Sequence, residues 1–221
     1  RQQQGTVLVD GISAQDRKAE MLKDIFMVPE EFELPNVSLA TYVKMNQEFY
    51  PNFSQEVLDR CLKDFDLPLS LKLNELSMGQ KKKVFMSFAL ATGTRFLLMD
   101  EPTNGLDIPS KSQFRKVIAN NMTEDRTLII STHQVHDVES LLDHIIIMNQ
   151  SQLLLDASVS DICEKYTFEY RNPQEMDDTV LYAEPTLQGN AAICKRQEDE
   201  QETQMNLELI FNAVIGGKLA E

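Results

Sequence analysis

The sequence predicts an α/β fold built around a parallel β-sheet. Two apolar runs that do not alternate with polar residues, residues 96–99 and 128–130, are separated by a helical pattern over residues 109–120. Continuous apolar strands joined by helices are typical of a parallel sheet that is covered on both faces. With 221 residues, of which 42% are hydrophobic and 25% charged, the chain is long enough to bury a substantial core. This composition argues against disordered, collagen-like and disulfide-stapled proteins.

The remaining elements follow from periodicity and from cap residues. A β-rich run over residues 6–9 precedes a second strand over residues 26–28. Residues 36–75 show helical periodicity, with Ser54 as an N-cap. Beyond them the sequence predicts a helix over 77–91, a hairpin of strands 144–148 and 153–155, short strands at 167–170 and 180–182, an acidic loop at 197–202 and a helix over 207–215.

Charge and cysteine content argue against further classes of protein. Lys and Arg total 21 against 35 Asp and Glu, a formal net charge of −14, which disfavours a protein whose whole surface binds nucleic acid phosphates. A local basic patch is the alternative that this charge leaves open. The 3 cysteines, Cys61, Cys163 and Cys194, lie far apart, and we expect buried thiols in a reducing compartment. No apolar run approaches the ~18 residues of a membrane-spanning helix. The opening Arg1-Gln2-Gln3 lacks an initiator Met, so we expect residue 1 to be a cut rather than a natural start.

Two adjacent carboxylates, Asp100 and Glu101, directly follow the apolar run 96–99. A buried parallel strand places its C-terminal residues at the ligand-binding edge of the sheet. There Asp100 can hold Mg²⁺ beside nucleotide phosphates, and Glu101 can act on an attacking water as a general base. Charges that merely cap a strand are the alternative interpretation.

A second candidate site precedes the helix predicted over residues 77–91. Ser77 can cap this helix and Gly79 lets the backbone approach an anion, so the helix N-terminus is a candidate phosphate site. An ordinary N-cap is the alternative interpretation. The following Lys81-Lys82-Lys83 is interpreted as a basic turn on an exposed helix face rather than as a nucleic acid site.

Together these motifs resemble those of the ABC-type ATPases. Leu76-Ser77-Met78-Gly79-Gln80 is similar to the family signature, L-S-G-G-Q. Further similarities occur in family order over most of residues 5–155: residues 26–30 resemble the strand entering the Q-loop, Asp100-Glu101 the end of the Walker B motif, residues 104–107 the D-loop, and His133 the switch histidine.

The resemblance implies a P-loop NTPase-like ABC ATPase domain that binds ATP and Mg²⁺ and hydrolyses the ATP. Residues 1–155 would form this domain, with residues 36–91 as a helical subdomain that includes the signature, and residues 156–221 would form a small α+β extension. The implied roles are catalysis for Glu101 and His133, nucleotide binding for Ser77, Gly79, Gln80 and Asp107, and Mg²⁺ binding for Asp100 and Glu30.

Three features depart from the family pattern. Met78 replaces the first glycine of the signature, which reduces backbone freedom. Glu30 occupies the position of the Q-loop glutamine and adds negative charge near the phosphates. No G-x-x-x-x-G-K-[S/T] occurs in the 221 residues. We therefore expect that the chain lacks the N-terminal P-loop segment of the family and does not hydrolyse ATP by itself.

The resemblance also implies partners. Two ATP-binding subunits would assemble head to tail, each signature completing the P-loop site of the other, and residues 36–75 would contact a separate transmembrane permease. The protein would then be cytoplasmic and peripheral at the inner face of the membrane, like bacterial export-type subunits, and would have no nucleic acid partner. A soluble ABC ATPase acting on ribosomes or nucleic acid, and a non-catalytic ABC fragment, are the alternatives.

Overall fold

A parallel sheet of three strands organises the N-terminal part of the chain. In the computed structural model, which describes residues 4–197 and 199–219, its order is β3 (Ile25–Val28), β4 (Phe96–Asp100) and β5 (Thr127–Ser131). The register pairs Phe96 with Ile25 on one side and with Thr127 on the other. Because all three strands run in the same direction, their carboxyl ends meet at one edge of the sheet. The predicted α/β fold class is confirmed.

Only one face of this sheet is well buried. The buried side chains include Phe26 and Val28 of β3 and Leu97 of β4. In contrast, Met27 and Ile129 are mostly exposed. The expectation that the sheet is covered on both faces is therefore wrong for the described residues. Helix packing accounts for the buried face, because the helix over residues 78–91 contacts β3.

A short hairpin precedes the sheet. Strands β1 (Leu8–Val9) and β2 (Ile12–Ser13) pair antiparallel across Asp10 and Gly11. Both turn residues have positive φ angles, 49° and 77°, as a type I′ hairpin turn requires. The predicted strand over residues 6–9 is thus shorter than expected and pairs with its neighbour in sequence. A one-turn helix, α1 (Ala19–Leu22), connects this hairpin to β3.

Four helices complete this part of the chain, and side chains cap all of them. Helix α2 (Leu39–Asn46) and α3 (Gln55–Asp64) have Ser38 and Ser54 as N-caps, as predicted for Ser54. An aromatic cluster joins the helices to the sheet, because the Phe88 ring lies 5.8 Å from that of Phe26 and 5.1 Å from that of Tyr42. The other two helices are α4 (Met78–Ala91) and α5 (Ile108–Asn121).

The chain divides into two compact units between Asp137 and Val138. The predicted hairpin, the two short strands and the last helix are confirmed in the second unit, whereas a helix over residues 159–165 and a strand over residues 189–195 were not predicted. A boundary between ATPase domain and extension at residue 155 stays a prediction. The elements of this unit are β6 (His144–Asn149), β7 (Gln152–Ser158), α6 (Val159–Lys165), β8 (Tyr166–Arg171), β9 (Val180–Thr186), β10 (Gly189–Lys195) and α7 (Leu207–Ile215), with sheet orders β6-β7 and β8-β10-β9.

The structure also bears on the predictions about the cysteines and about membrane-spanning helices. All three cysteines are buried, as expected, and burial raises the pKa of Cys61 to about 12, so its thiol stays protonated and unreactive at neutral pH. Within the described ranges, no helix is both long and apolar enough to cross a membrane. The opening Arg1-Gln2-Gln3 and Glu198 of the acidic loop lie outside the described residues.

Candidate functional site

The carboxyl end of β4 turns sharply at Glu101. This residue has a φ of 43°, a left-handed conformation that is uncommon for a residue with a side chain. Its backbone N–H donates to the carbonyl oxygen of Ser131 at 2.8 Å, which ties the turn to the end of β5. Strained backbone of this kind persists only where the surroundings hold it, and it is frequent at functional sites.

The Glu101 carboxylate is held by the residues that follow β5. Oε1 accepts from the backbone N–H of His133 at 2.9 Å and lies 2.6 Å from His133 Nδ1, while Oε2 accepts from the Thr132 hydroxyl at 2.9 Å. The Glu101 side chain is 14% exposed and that of His133 74% exposed. The structure thus brings the two residues predicted to be catalytic into direct contact, with the imidazole open to solvent.

Opposing effects act on the pKa of Glu101. Burial raises it, but the hydrogen bonds from His133 and Thr132 together outweigh burial and leave the pKa below its ordinary value. The group is therefore ionised at neutral pH. An ionised carboxylate beside an exposed imidazole can orient a water molecule and accept its proton.

The two predicted Mg²⁺ ligands lie at the carboxyl ends of neighbouring strands. Asp100 ends β4 and accepts a hydrogen bond from the Ser131 hydroxyl, and Glu30 follows β3 and accepts from Asn104 Nδ2 at 2.8 Å. Oxygen ligands from one or two carboxylates fit Mg²⁺, which usually completes its shell with water and phosphate oxygens. Among the described residues, no group of three or more His, Cys, Asp or Glu is arranged to hold a metal by itself. A cation bound by Asp100 and Glu30 would therefore need water or phosphate oxygens as additional ligands.

The signature segment, residues 76–80, forms the start of α4. Ser77 Oγ accepts from the Gln80 backbone N–H at 3.3 Å, and Gln80 Oε1 accepts from the Ser77 N–H at 3.0 Å, which is a complete capping box. A Cβ atom added at Gly79 would lie 3.9 Å from the Gly105 carbonyl oxygen, an ordinary contact. The signature segment and the predicted D-loop, residues 104–107, therefore adjoin each other. There is room for a Cβ atom at position 79, so crowding does not require a glycine there.

Asp107, which is predicted to be a D-loop residue, caps α5. Its Oδ1 accepts from the Ser110 backbone N–H at 2.9 Å, and hydrogen bonds with Ser110 lower its pKa. Further along α5, Lys111 donates to the Gln134 side chain at 2.7 Å, which holds the segment after His133. The predicted site residues thus fall into two groups: one around Glu101, His133, Asp100 and Glu30, and one at the N-termini of α4 and α5 with Ser77, Gly79, Gln80 and Asp107.

The structure adds Lys82 to the first group, which corrects the expectation that Lys81-Lys82-Lys83 is an exposed basic turn. Lys82 is buried, and its Nζ donates to the carbonyl oxygens of Glu101 at 3.1 Å and Asn104 at 2.8 Å. Helical spacing was a usable signal, because Lys82 precedes the buried Met86 by four residues on the same helix face. Because runs of basic residues are usually solvated, the run by itself predicts that Lys82 is exposed like its neighbours.

The capping box leads to a stability prediction. Replacing Ser77→Ala removes the side-chain oxygen that accepts the Gln80 N–H, and we expect the free energy of unfolding to fall by about 1 kcal/mol. Urea unfolding followed by circular dichroism measures this change. Ser70→Ala, at an exposed loop serine, is the matched control and should leave the free energy of unfolding unchanged. Equal stabilities for the two variants would contradict the capping role.

Comparisons with known proteins agree on one family. Residues 1–104 match the family model described as ABC transporter. The chain is 23% identical over 163 residues to the ABC transporter ATP-binding protein YtrB of Bacillus subtilis, covering 73% of this chain and 56% of that protein. It is 33% identical over 113 residues to the zinc uptake system ATP-binding protein ZurA of Listeria innocua, covering 50% and 44%. The chain therefore spans about half the length of these relatives.

Solved structures show the same fold. An ATP-binding subunit of an ABC transporter superposes with a TM-score of 0.62 at 21% identity, covering 72% of this chain and 69% of that one. A bacterial Atm1-family ABC exporter with ATP bound gives a TM-score of 0.59, also at 21% identity, covering 72% of this chain and 30% of that one. At such low identity these likenesses establish the architecture alone.

Proposed function

Because residues 1–104 match the family model described as ABC transporter, we propose that this chain is an ATP-binding subunit of that family, whose ATP hydrolysis powers transport through a separate membrane permease. The observation that carries this proposal is the contact between Glu101 and His133 at the carboxyl edge of the parallel sheet, 2.6 Å between Oε1 and Nδ1. Its homologues are ABC transporter ATP-binding proteins, and that supports the transport role.

The geometry supports distinct roles for the two residues. Glu101 is mostly buried, ionised and held by three hydrogen-bonding groups, so it can orient the attacking water and take its proton. The exposed ring of His133 can turn toward a γ-phosphate while its backbone N–H keeps Glu101 in place. When bound, Mg²⁺ held by Asp100 and Glu30 would offset phosphate charge.

The proposed reaction needs a phosphate cradle that the 221 residues do not include, since no G-x-x-x-x-G-K-[S/T] occurs among them. We define the P-loop form as this chain extended at its N-terminus by a P-loop segment, either from its own reading frame or grafted from a relative. Hydrolysis is proposed for the P-loop form, and none for the 221-residue chain.

A head-to-tail dimer is the proposed active assembly. Met78 and Ile108, the first residues of α4 and α5, are large apolar side chains that are 58% and 85% exposed. Exposed apolar groups beside the adjoining signature and D-loop favour a partner protein surface at this end of the molecule. A second subunit would receive Ser77, Gly79, Gln80 and Asp107 as completing ligands of its own nucleotide site.

The permease contact is proposed for the helical segment over residues 36–75. Met45, Phe49 and Leu69 are large apolar side chains that are exposed in this segment. They would cover apolar surface of a membrane protein, which would hold the subunit at the cytoplasmic face of the membrane.

A substitution at Gly79 separates dimerisation from folding. In the P-loop form, Gly79→Asp places a carboxylate against phosphate held by the second subunit, so we expect ATP-induced dimerisation to be lost. Folding should persist, because the added Cβ makes only ordinary contacts and an acidic residue suits the first turn of a helix. Light scattering at saturating ATP measures the dimer, and urea unfolding measures the fold.

The matched control for this experiment is Asn74→Asp, which adds the same charge at an exposed position before α4. This variant should dimerise like the unsubstituted protein. Normal dimerisation of the Gly79→Asp variant would contradict the assignment of the signature segment.

Two measurements test the proposed function as a whole. The P-loop form should hydrolyse ATP, and it should co-purify from membranes with a multi-span protein encoded beside it. Co-purification with ribosomes or nucleic acid instead would favour the soluble class of ABC ATPase. Tight ATP binding without any hydrolysis would contradict the catalytic assignment.

A further inference from the structure

The side chain of Lys82 reaches from α4 to the turn that carries Glu101. Only 5% of this lysine is exposed, and its ammonium donates to the carbonyl oxygens of Glu101 and Asn104. Burying an ammonium is costly unless both its hydrogen-bond donors and its charge are satisfied. Two neutral carbonyl groups satisfy donors and leave the charge to be balanced by other groups.

Three carboxylates act electrostatically on this ammonium. Burial lowers the pKa of Lys82, and Glu30, Glu101 and Asp100 act in the opposite direction, with Glu30 having the largest influence of the three. Glu30 also accepts a hydrogen bond from the side-chain amide of Asn104 at 2.8 Å. Asn104 therefore contacts Lys82 through its carbonyl oxygen and Glu30 through its side chain, so that one residue links the two opposite charges.

The same ammonium holds both ends of a strained turn. Glu101 has its φ of 43°, and its carbonyl oxygen also accepts from the Asn104 N–H at 3.2 Å. Lys82 donates to the carbonyl groups at the two ends of this turn, residues 101 and 104. Without these donors the turn would lose the contact that ties it to α4, and a left-handed Glu101 is a conformation that relaxes readily.

We propose that Lys82 is a positioning residue for the candidate site: its ammonium holds the turn that presents Glu101 to His133, and its charge compensates a carboxylate at position 30. The residues at positions 82 and 30 are then energetically coupled. A catalytic meaning of this positioning rests on the proposed function, but the placement of the turn and the coupling do not, and both are measurable without nucleotide.

Coupling is tested by a double-mutant cycle in the 221-residue chain. Lys82→Gln keeps a donor and removes the charge, and we expect it to lower the folding equilibrium constant at least tenfold, about 1.4 kcal/mol. In a Glu30→Gln background, the fold-decrease in the folding equilibrium constant caused by Lys82→Gln should be at least three times smaller. Raising the salt concentration should shrink this difference, because Glu30 is exposed and its charge is screened.

The matched control is Lys83→Gln, which removes one positive charge at the next position of α4. Lys83 donates to Gln113 on α5 and contacts neither Glu101 nor Asn104 among the interactions of the described residues. Its cost should be the same with Glu or Gln at position 30. A Lys82→Gln cost that is also independent of residue 30 would overturn the proposed charge compensation.

Positioning is tested by the nuclear magnetic resonance signals of His133. The chain has 3 histidines, so the ring nitrogen spectrum is simple to assign. Lys82→Gln should shift the His133 ring and backbone amide signals at constant pH, whereas Lys83→Gln should leave them in place. A loss of stability alone would not move these signals in the folded protein.

Unchanged His133 signals in the Lys82→Gln variant would overturn the positioning role. Should Lys82→Gln alone fail to fold, the double variant Glu30→Gln/Lys82→Gln decides: a folded double variant supports the coupling, and an unfolded one overturns it. Because no nucleotide enters these measurements, their failure leaves the proposed ATPase function standing, and failure of that function leaves these results valid.

Discussion

The 221-residue chain is expected to bind Mg-ATP no more tightly than millimolar and to hydrolyse none. A P-loop would supply backbone N–H groups and a lysine to the phosphates, and each charge-assisted hydrogen bond of this kind contributes about 1.5–3 kcal/mol. Forgoing three such bonds weakens binding by roughly 5 kcal/mol, which is more than a thousandfold. Isothermal titration calorimetry with Mg-ATP and a phosphate-release assay measure the two quantities.

The P-loop form provides the control for this experiment, and we expect it to bind Mg-ATP in the micromolar range or tighter. Both proteins share Glu101, His133, Asp100 and Glu30, so a difference in their affinity for Mg-ATP is attributable to the phosphate cradle. Micromolar binding by the 221-residue chain would show that the nucleotide site lies elsewhere in the molecule.

Replacing Glu101→Gln in the P-loop form should slow ATP turnover by roughly a hundredfold or more while ATP binding persists. The amide has nearly the same volume, and its oxygen can still accept from the His133 N–H, so the turn should survive. The amide cannot take a proton from water, however. Its NH₂ group also replaces one of the two oxygens that accept hydrogen bonds from Thr132 and His133, and it cannot accept such a bond. Steady-state ATPase rates and equilibrium binding to the same preparation separate the two effects.

Glu75→Gln is the matched control for this substitution. Glu75 is exposed and pairs with Lys72 at 3.1 Å on the surface before α4, so its replacement should leave turnover within about twofold. Turnover near that of the unsubstituted protein in the Glu101→Gln variant would remove Glu101 from the catalytic role.

Local signals in the sequence determined most of the elements. The N-caps Ser54 and Ser77 and the apolar periodicity behind them located α3 and α4, because capping and helix amphipathicity act between residues three or four apart. The apolar run ending in Asp100 located β4, and its terminal carboxylates pointed to the site edge. Helix α7 was predicted at its observed bounds, 207–215, because its apolar residues repeat with helical spacing.

Only the tertiary structure decided how the site is held together. Thr132 and His133 reach the Glu101 carboxylate from 31 and 32 residues further along the chain, and no local pattern encodes that pairing. The burial of Lys82 and the left-handed conformation of Glu101 depend in the same way on contacts between α4, β4 and β5. A sequence pattern reports which face of a helix is apolar, but which charge is taken out of water is decided by the partners that folding brings to it.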